Sequence, residues 1–296
     1  MATFAPGSAL RIGKVTGRRS RALRRFGTNR TALTGGILVA FMVLLAVLGP
    51  LLVPIDPLAL VTIDRLQGPS AAHWLGTDNY GRDILARVVH GAGISLGTAF
   101  STAVVTSLLG LAIGLYAAYN KVVDAIVMRI ADGLMAFPAI LLAIALMAVL
   151  GPRIENVVIA LSIVFVPYVA RVVRSSALVV AEQTFVEALR AQGASTSRIV
   201  WLNIAPNVLS PLIVQATFIF ADSIITEAAL SFLGAGIPPP EPSWGNMLLD
   251  GKIVIYTSWW MTVFPGVAIL LTVLGINLLG DGLRDLLDPH HTTSRR

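Results

Sequence analysis

The stretch TALTGGILVAFMVLLAVLGPLLVPI, Thr31 to Ile55, carries no charge. It exceeds the about 20 apolar residues that cross a hydrocarbon core about 30 Å thick at 1.5 Å per helical residue. Eight of the chain's 22 Lys and Arg lie in the first 30 residues, and the first acid, Asp56, follows the run. Such a basic head suits nucleic acid or the cytoplasmic face of a membrane, and the apolar run directly behind it selects the membrane. A cleavable signal peptide would have an apolar region of about 7 to 15 residues and a small-residue cleavage site. Here the run ends in Gly49-Pro50-Leu51-Leu52-Val53-Pro54, so a retained anchor is expected. Of all 296 residues 55% are apolar and 13% charged, about half the charge of ordinary soluble domains, which excludes a single soluble globule. With no cysteine, disulfides, thiolate nucleophiles and Cys metal sites are excluded as well.

Six uncharged runs organise the chain: Thr31 to Ile55, Gly91 to Asn120, Gly133 to Pro152, Asn156 to Ala170, Ile199 to Ala221 and Ile253 to Gly280. The fourth is short, and its helix is expected to continue through Arg171 toward Arg174, whose long side chains can snorkel to headgroups. Six spans make an all-α polytopic membrane protein. With the N-terminus inside, the inside segments hold 17 Lys and Arg against five outside (Arg65, Arg82, Arg87, Arg153 and Lys252), which puts both termini in the cytoplasm. The expected divisions are a basic segment 1–30, a first helix with its outer loop 31–90, a core of five helices 91–289 and a tail 290–296. Gly110, Gly114, Pro138, Pro167 and Pro211 suit close packing and kinks, although Gly and Pro are commoner in transmembrane helices generally.

The core contains a cytoplasmic insert, 175–207, too regular for a slack loop. Leu178, Phe185 and Leu189 recur at helical spacing, with Glu182, Gln183, Glu187 and Arg190 on other faces. Gly193 offers the positive φ that ends a helix, and Ser195 is a good N-cap for a second one containing Ile199, Trp201 and Leu202. Pro206 is expected to stop that second helix before the fifth span. The residues alone leave two readings open: a hairpin lying on the membrane surface, or a docking element for a cytoplasmic partner.

The string Glu187-Ala188-Leu189-Arg190-Ala191-Gln192-Gly193-Ala194-Ser195, followed by Ile199 and Asn203-Ile204-Ala205-Pro206-Asn207, resembles the EAA loop of ABC importer permeases. Glu187, Ala188, Ala191 and Gly193 match the peptide-importer form, and the family's usual Leu-Pro is Ala205-Pro206 here. The resemblance implies that Glu187, Ala188, Arg190, Ala191, Gly193, Ile199 and Pro206 belong to a coupling helix seated in a groove of an ATPase subunit.

In the 54–90 segment, His73-Trp74-Leu75-Gly76-Thr77-Asp78-Asn79-Tyr80-Gly81-Arg82-Asp83-Ile84-Leu85 reads first as a short surface helix. Thr77 or Asp78 would cap it, and Ile84, Leu85, Val88 and Val89 would be its apolar side. The alternating oxygen ligands of a calcium loop are absent. The same string is similar to the Gly-Thr-Asp…Gly-Arg-Asp signature of the C-type permease of oligopeptide and dipeptide importers, carried here by Gly76, Thr77, Asp78, Gly81, Arg82 and Asp83. A second match follows the fifth run, where Glu227-Ala228-Ala229-Leu230-Ser231-Phe232-Leu233-Gly234 leads to Pro242-Ser243-Trp244-Gly245. The resemblance covers about Arg24 to Pro289.

Asp222 and Glu227 lie in the outer half of the fifth helix, where ionisable groups are functional candidates by default. Five residues apart, they point about 140° away from each other and form no paired-carboxylate site. They are candidates for the translocation path or an outer gate, and each could equally be a structural hydrogen-bonding group. No Gly-x-x-x-x-Gly-Lys-Ser/Thr string exists, so this chain holds no P-loop. His73, His90, His290 and His291 have no closed metal-site spacing, and no hydrolytic triad can be assigned. The resemblance therefore implies a non-enzymatic permease of the type I ABC importer fold in a bacterial inner membrane, binding no cofactor itself. It implies a B-type permease partner, two ATP-binding subunits or one fused ATPase using ATP and Mg, an extracytoplasmic binding protein and a peptide substrate. Membrane lipid surrounds such a chain, and no nucleic acid partner is expected. The alternatives are a secondary transporter driven by an ion gradient, which would need buried midplane charges and usually internal repeats, and a membrane scaffold without transport.

Overall fold

A computed structural model describes residues 29–287. The basic cluster that precedes residue 29 and the tail 290–296, with His290 and His291, lie outside the described residues. Ten segments follow in order: α1 (Arg30–Leu52), a 3-10 turn (Thr62–Asp64), α2 (Ile84–Tyr119), α3 (Lys121–Met135), α4 (Ala139–Leu150), α5 (Ile154–Ala181), α6 (Thr184–Ala191), α7 (Thr196–Phe232), α8 (Trp244–Gly251) and α9 (Trp260–Leu287). Five of these helices, α1, α2, α5, α7 and α9, are long and apolar enough to span.

The third uncharged run takes a different form. Its place is filled by α3 and α4, which meet at 96° and make a sixth span only if counted together. The cause is Pro138: its ring excludes the residue before it from the helical region, and α4 restarts beyond it. Lys121–Met135 is amphipathic and ties back to α5, because Arg171 pairs with Asp132 and Arg174 donates from Nη2 to Asp124 Oδ2 at 2.6 Å. The two arginines thus serve a contact between helices, and the helix that carries them runs on to Ala181.

Two close contacts set the bundle. Along α2, a Cβ at Gly114 would lie 2.6 Å from the Ala170 carbonyl oxygen of α5, so the helices touch backbone to backbone. On the other side α1 packs on α9, where a Cβ at Gly35 would meet the Leu279 backbone nitrogen at 2.4 Å. Lipid gives no hydrophobic drive between helices, so this dispersion contact holds them together. Asn29 Nδ2 donates to Asp285 Oδ2 at 3.4 Å, which puts the start of α1 and the end of α9 at one end of the bundle. That end also carries α6, since Arg190 meets Tyr119 at the foot of α2.

Pro206 does not stop the second helix of the insert. From Thr196 to Phe232 the chain is helical throughout, and the six residues Ile199–Ile204 form a π-helical turn. There Ala205 N–H donates to Val200 O, five residues back. Proline brings no N–H and its ring crowds the carbonyl four residues earlier, and the wider turn gives that ring room.

Candidate functional site

At the hairpin end, α5 ends at Ala181, extended backbone at Gln183 redirects the chain (φ −76°, ψ 146°), and α6 begins at Thr184. The insert is therefore not one helix from Leu178 to Arg190. Val186 is its fully buried anchor, while Phe185 turns outward at 38% exposure. Helical spacing flags Phe185 because it cannot reveal a break at Gln183. At the other end of α6, Ala194 N–H donates to Leu189 O (3.1 Å) and Gly193 N–H to Arg190 O (3.0 Å), with Gly193 at φ +75°. This pair of bonds is a Schellman motif, which needs a left-handed residue where glycine sits. Ser195 then caps α7, accepting from Arg198 N–H. Glu187, Ala188, Arg190, Ala191 and Gly193 are all exposed and project together from α6 and its turn, with Arg190 fastened at its tip to Tyr119. Ile199 is buried as the first residue of the π turn, and Pro206 is exposed just beyond it.

The opposite end holds the second motif, and it is a buried clamp in place of a short surface helix. Asp83 caps α2, its Oδ1 accepting from Ala86 N–H at 2.9 Å, so Ile84 opens the 36-residue α2 directly. Thr77 and Asp78 lie before it, buried. Asp78 Oδ1 accepts from the backbone of Tyr80 and Arg82, and its Oδ2 accepts from Arg82 Nε at 2.6 Å. Gly81 closes this turn at φ +76°, where any Cβ would fall 1.8 Å from the Val61 carbonyl oxygen. The Gly76 carbonyl accepts from Ile84 N–H, and the Thr77 carbonyl from Trp260 Nε1 at 3.0 Å. From the other side Trp244, wholly buried on α8, donates from Nε1 to Val88 O at 3.0 Å. Gly245 lets α8 lie against Ala228 and Ser231 of α7.

Within the clamp Arg82 Nη2 donates to Asp250 Oδ2 at 3.0 Å, and Arg87, itself 2% exposed, stands 3.6 Å from both Asp78 and Asp250. Burial holds the Asp250 carboxyl above its ordinary range, against the smaller opposing pull of Arg87 and Arg82. Charge counting along the chain treats Arg82 and Arg87 as free outside charges. Asp250, 168 residues from Arg82, has no local signal that could have paired them. His73 Nδ1 likewise stands 2.9 Å from Asp83 Oδ2, a contact that spacing alone does not reveal.

The two carboxylates of α7 differ in setting. Glu227 is fully buried and accepts from Ser231 Oγ at 2.8 Å. Asp222 is exposed, without a side-chain partner among the described residues.

Residues 110–292 match the family described as binding-protein-dependent transport system inner membrane component, and residues 18–69 match the N-terminal TM domain of oligopeptide transport permease C. The chain belongs to the binding-protein-dependent transport system inner membrane component family. As a member it is a multi-pass permease subunit of an ABC importer, and the ion-driven alternative falls away. It is similar to the dipeptide transport system permease protein DppC of Alkalihalophilus pseudofirmus (45% identity over 269 residues, 90% of this chain and 88% of that one). It is also similar to the glutathione transport system permease protein GsiD of Pectobacterium atrosepticum (43% over 268 residues, 90% and 89%). Its fold is that of a chain of the MetNI methionine ABC transporter, solved in inward facing conformations (TM-score 0.56, 21% identity, 68% of this chain and 96% of that one).

Proposed function

We propose that this permease carries short peptides inward as the C-type half of a heterodimer with a B-type permease. The observation that carries the reading is the reach of the likeness to a dipeptide permease: at 90% of the chain it takes in both the hairpin and the clamp. Glutathione, named for a second relative, is itself a short peptide.

In this reading the projecting face of α6, with Glu187, Ala188, Arg190, Ala191 and Gly193, docks on partner ATPase subunits that bind ATP and Mg and hydrolyse ATP. The hairpin end then faces the cytoplasm together with both termini, and the clamp faces outward beneath an extracytoplasmic binding protein. Closure of the ATPases displaces α6, the displacement tilts the spans through α5 and α7, and the path opens outward to receive peptide; hydrolysis resets it. The Schellman turn suits that task because it fixes the angle between α6 and α7 by two backbone bonds.

The test is purification of the chain with its expected partners, followed by reconstitution in vesicles. ATP-dependent uptake of a mixture of di- and tripeptides is the expected result. An assembly that holds no ATPase, or that takes up no peptide with ATP and binding protein supplied, would overturn the proposal.

A further inference from the structure

Asp222 presents a problem that the family assignment leaves open. It sits ten residues, about 15 Å, inside the Phe232 end of a membrane-spanning helix. Its side chain is exposed, and an uncompensated carboxylate does not face hydrocarbon. Around α7, Gln215, Phe218 and Thr226 lie within about 40° of Asp222, and all three are only partly buried. The opposite side, with Ile224, Glu227, Ala228 and Ser231, is packed inside the bundle. Toward the hairpin end the same face becomes one wall of a groove of about 400 Å³, which Pro211, Gln215 and Phe218 line together with Arg284 of α9. Thr226 spends its hydroxyl on the Asp222 backbone carbonyl, so the Asp222 carboxylate keeps its full capacity for a cation.

We infer that Asp222 receives the protonated α-amino group of the peptide in transit, at the head of the groove that leads past Gln215 to Arg284. The inference rests on the peptide reading above. A path that carries peptides of varied sequence can use only what they share, a cationic amino end and an anionic carboxyl end. Asp222 and Arg284 offer the two complementary charges along one face. Glu227, turned about 140° away and enclosed, takes no part.

The test uses the reconstituted complex with its binding protein and a mixture of di- and tripeptides read by mass spectrometry. Losing one charge-assisted contact, Asp222→Asn is expected to lower uptake about ten-fold, and Asp222→Glu to recover most of it. Because the chain has no other thiol, Asp222→Cys adds a second arm. Reaction with 2-sulfonatoethyl methanethiosulfonate, which restores a negative charge, should raise uptake, and the trimethylammonium reagent should not. Uptake unchanged in Asp222→Asn, or an Asp222→Cys variant whose thiol is inert to both reagents, would overturn the inference while leaving the peptide reading intact. If the unmodified complex takes up no peptide, the reading and the inference fall together.

Discussion

Arg190 of α6 stands over the ring of Tyr119 at the foot of α2, 5.9 Å from its centroid, with Nη2 donating to the phenol oxygen at 3.4 Å. The hairpin is thereby fastened to a helix that is not its neighbour in the chain, three helices intervening. An exposed cation–π contact is worth about 0.5–1 kcal/mol. Tyr119→Ala is expected to lower the peptide carried per ATP hydrolysed by about two- to five-fold, and Tyr119→Phe to retain most of the coupling. Parallel measurements of uptake and ATP hydrolysis in vesicles check both.

Gly193 should be needed for its backbone alone, because a Cβ there would meet nothing within 4 Å. The left-handed conformation costs an ordinary L residue about 1–2 kcal/mol. Gly193→Val should therefore swing α6 away from its set angle and leave ATP hydrolysis running with little uptake. Gly193→Asn should be milder, since Asn visits that region. Normal uptake by the valine variant would refute the docking role of the hairpin.

Orientation can be read with single thiols. Ala71 and Ser197 are both exposed, at the clamp end and the hairpin end. In intact cells Ala71→Cys should react with an impermeant maleimide and Ser197→Cys should not; the reverse labelling would invert the topology.

In the clamp, Asp250→Ala leaves Arg87 buried with one carboxylate neighbour fewer. Breaking a fully buried pair costs about 3–5 kcal/mol, and the partial exposure of Asp250 brings the expectation to about 2–3 kcal/mol. The melting temperature of the purified complex should fall clearly. Replacing Arg87 and Asp250 together by Met and Leu should recover much of the loss, and a double-mutant cycle measures the coupling.

Glu227→Gln keeps the shape of a group that already accepts from Ser231 and removes its charge. ATP-driven uptake should persist in this variant, and in the unmodified complex a protonophore should leave uptake unchanged. Uptake that needs no ATP and collapses with the proton gradient would point to an ion-driven carrier.

Much of this was legible in the residues. Uncharged runs located the spans because desolvation of charge dominates everything else in a bilayer, and Gly193 and Ser195 marked a turn whose chemistry is local. What escaped was long-range or cooperative. Asp250 meets Arg82 and Arg87 only after α8 folds back, and Thr77 and Asp78 have the chemistry of helix caps although Asp83 takes that position. Pro206 breaks a regular α-helix by rule, and the chain answers it with a different hydrogen-bond register.

That register sets a length and a phase. From Thr196 to Phe232 the hairpin and the clamp share a single rod of 37 residues, about 55 Å long. A π turn stores one residue more than an α turn, so tightening Ile199–Ile204 by one residue would twist everything beyond it by about 100° relative to α6. Asp222 would then turn away from its present face and Gly245 would lose its seat on Ala228. The widened turn thus acts as the index mark that times one end of the lever against the other, and a one-residue deletion within it should be far more damaging than any substitution there.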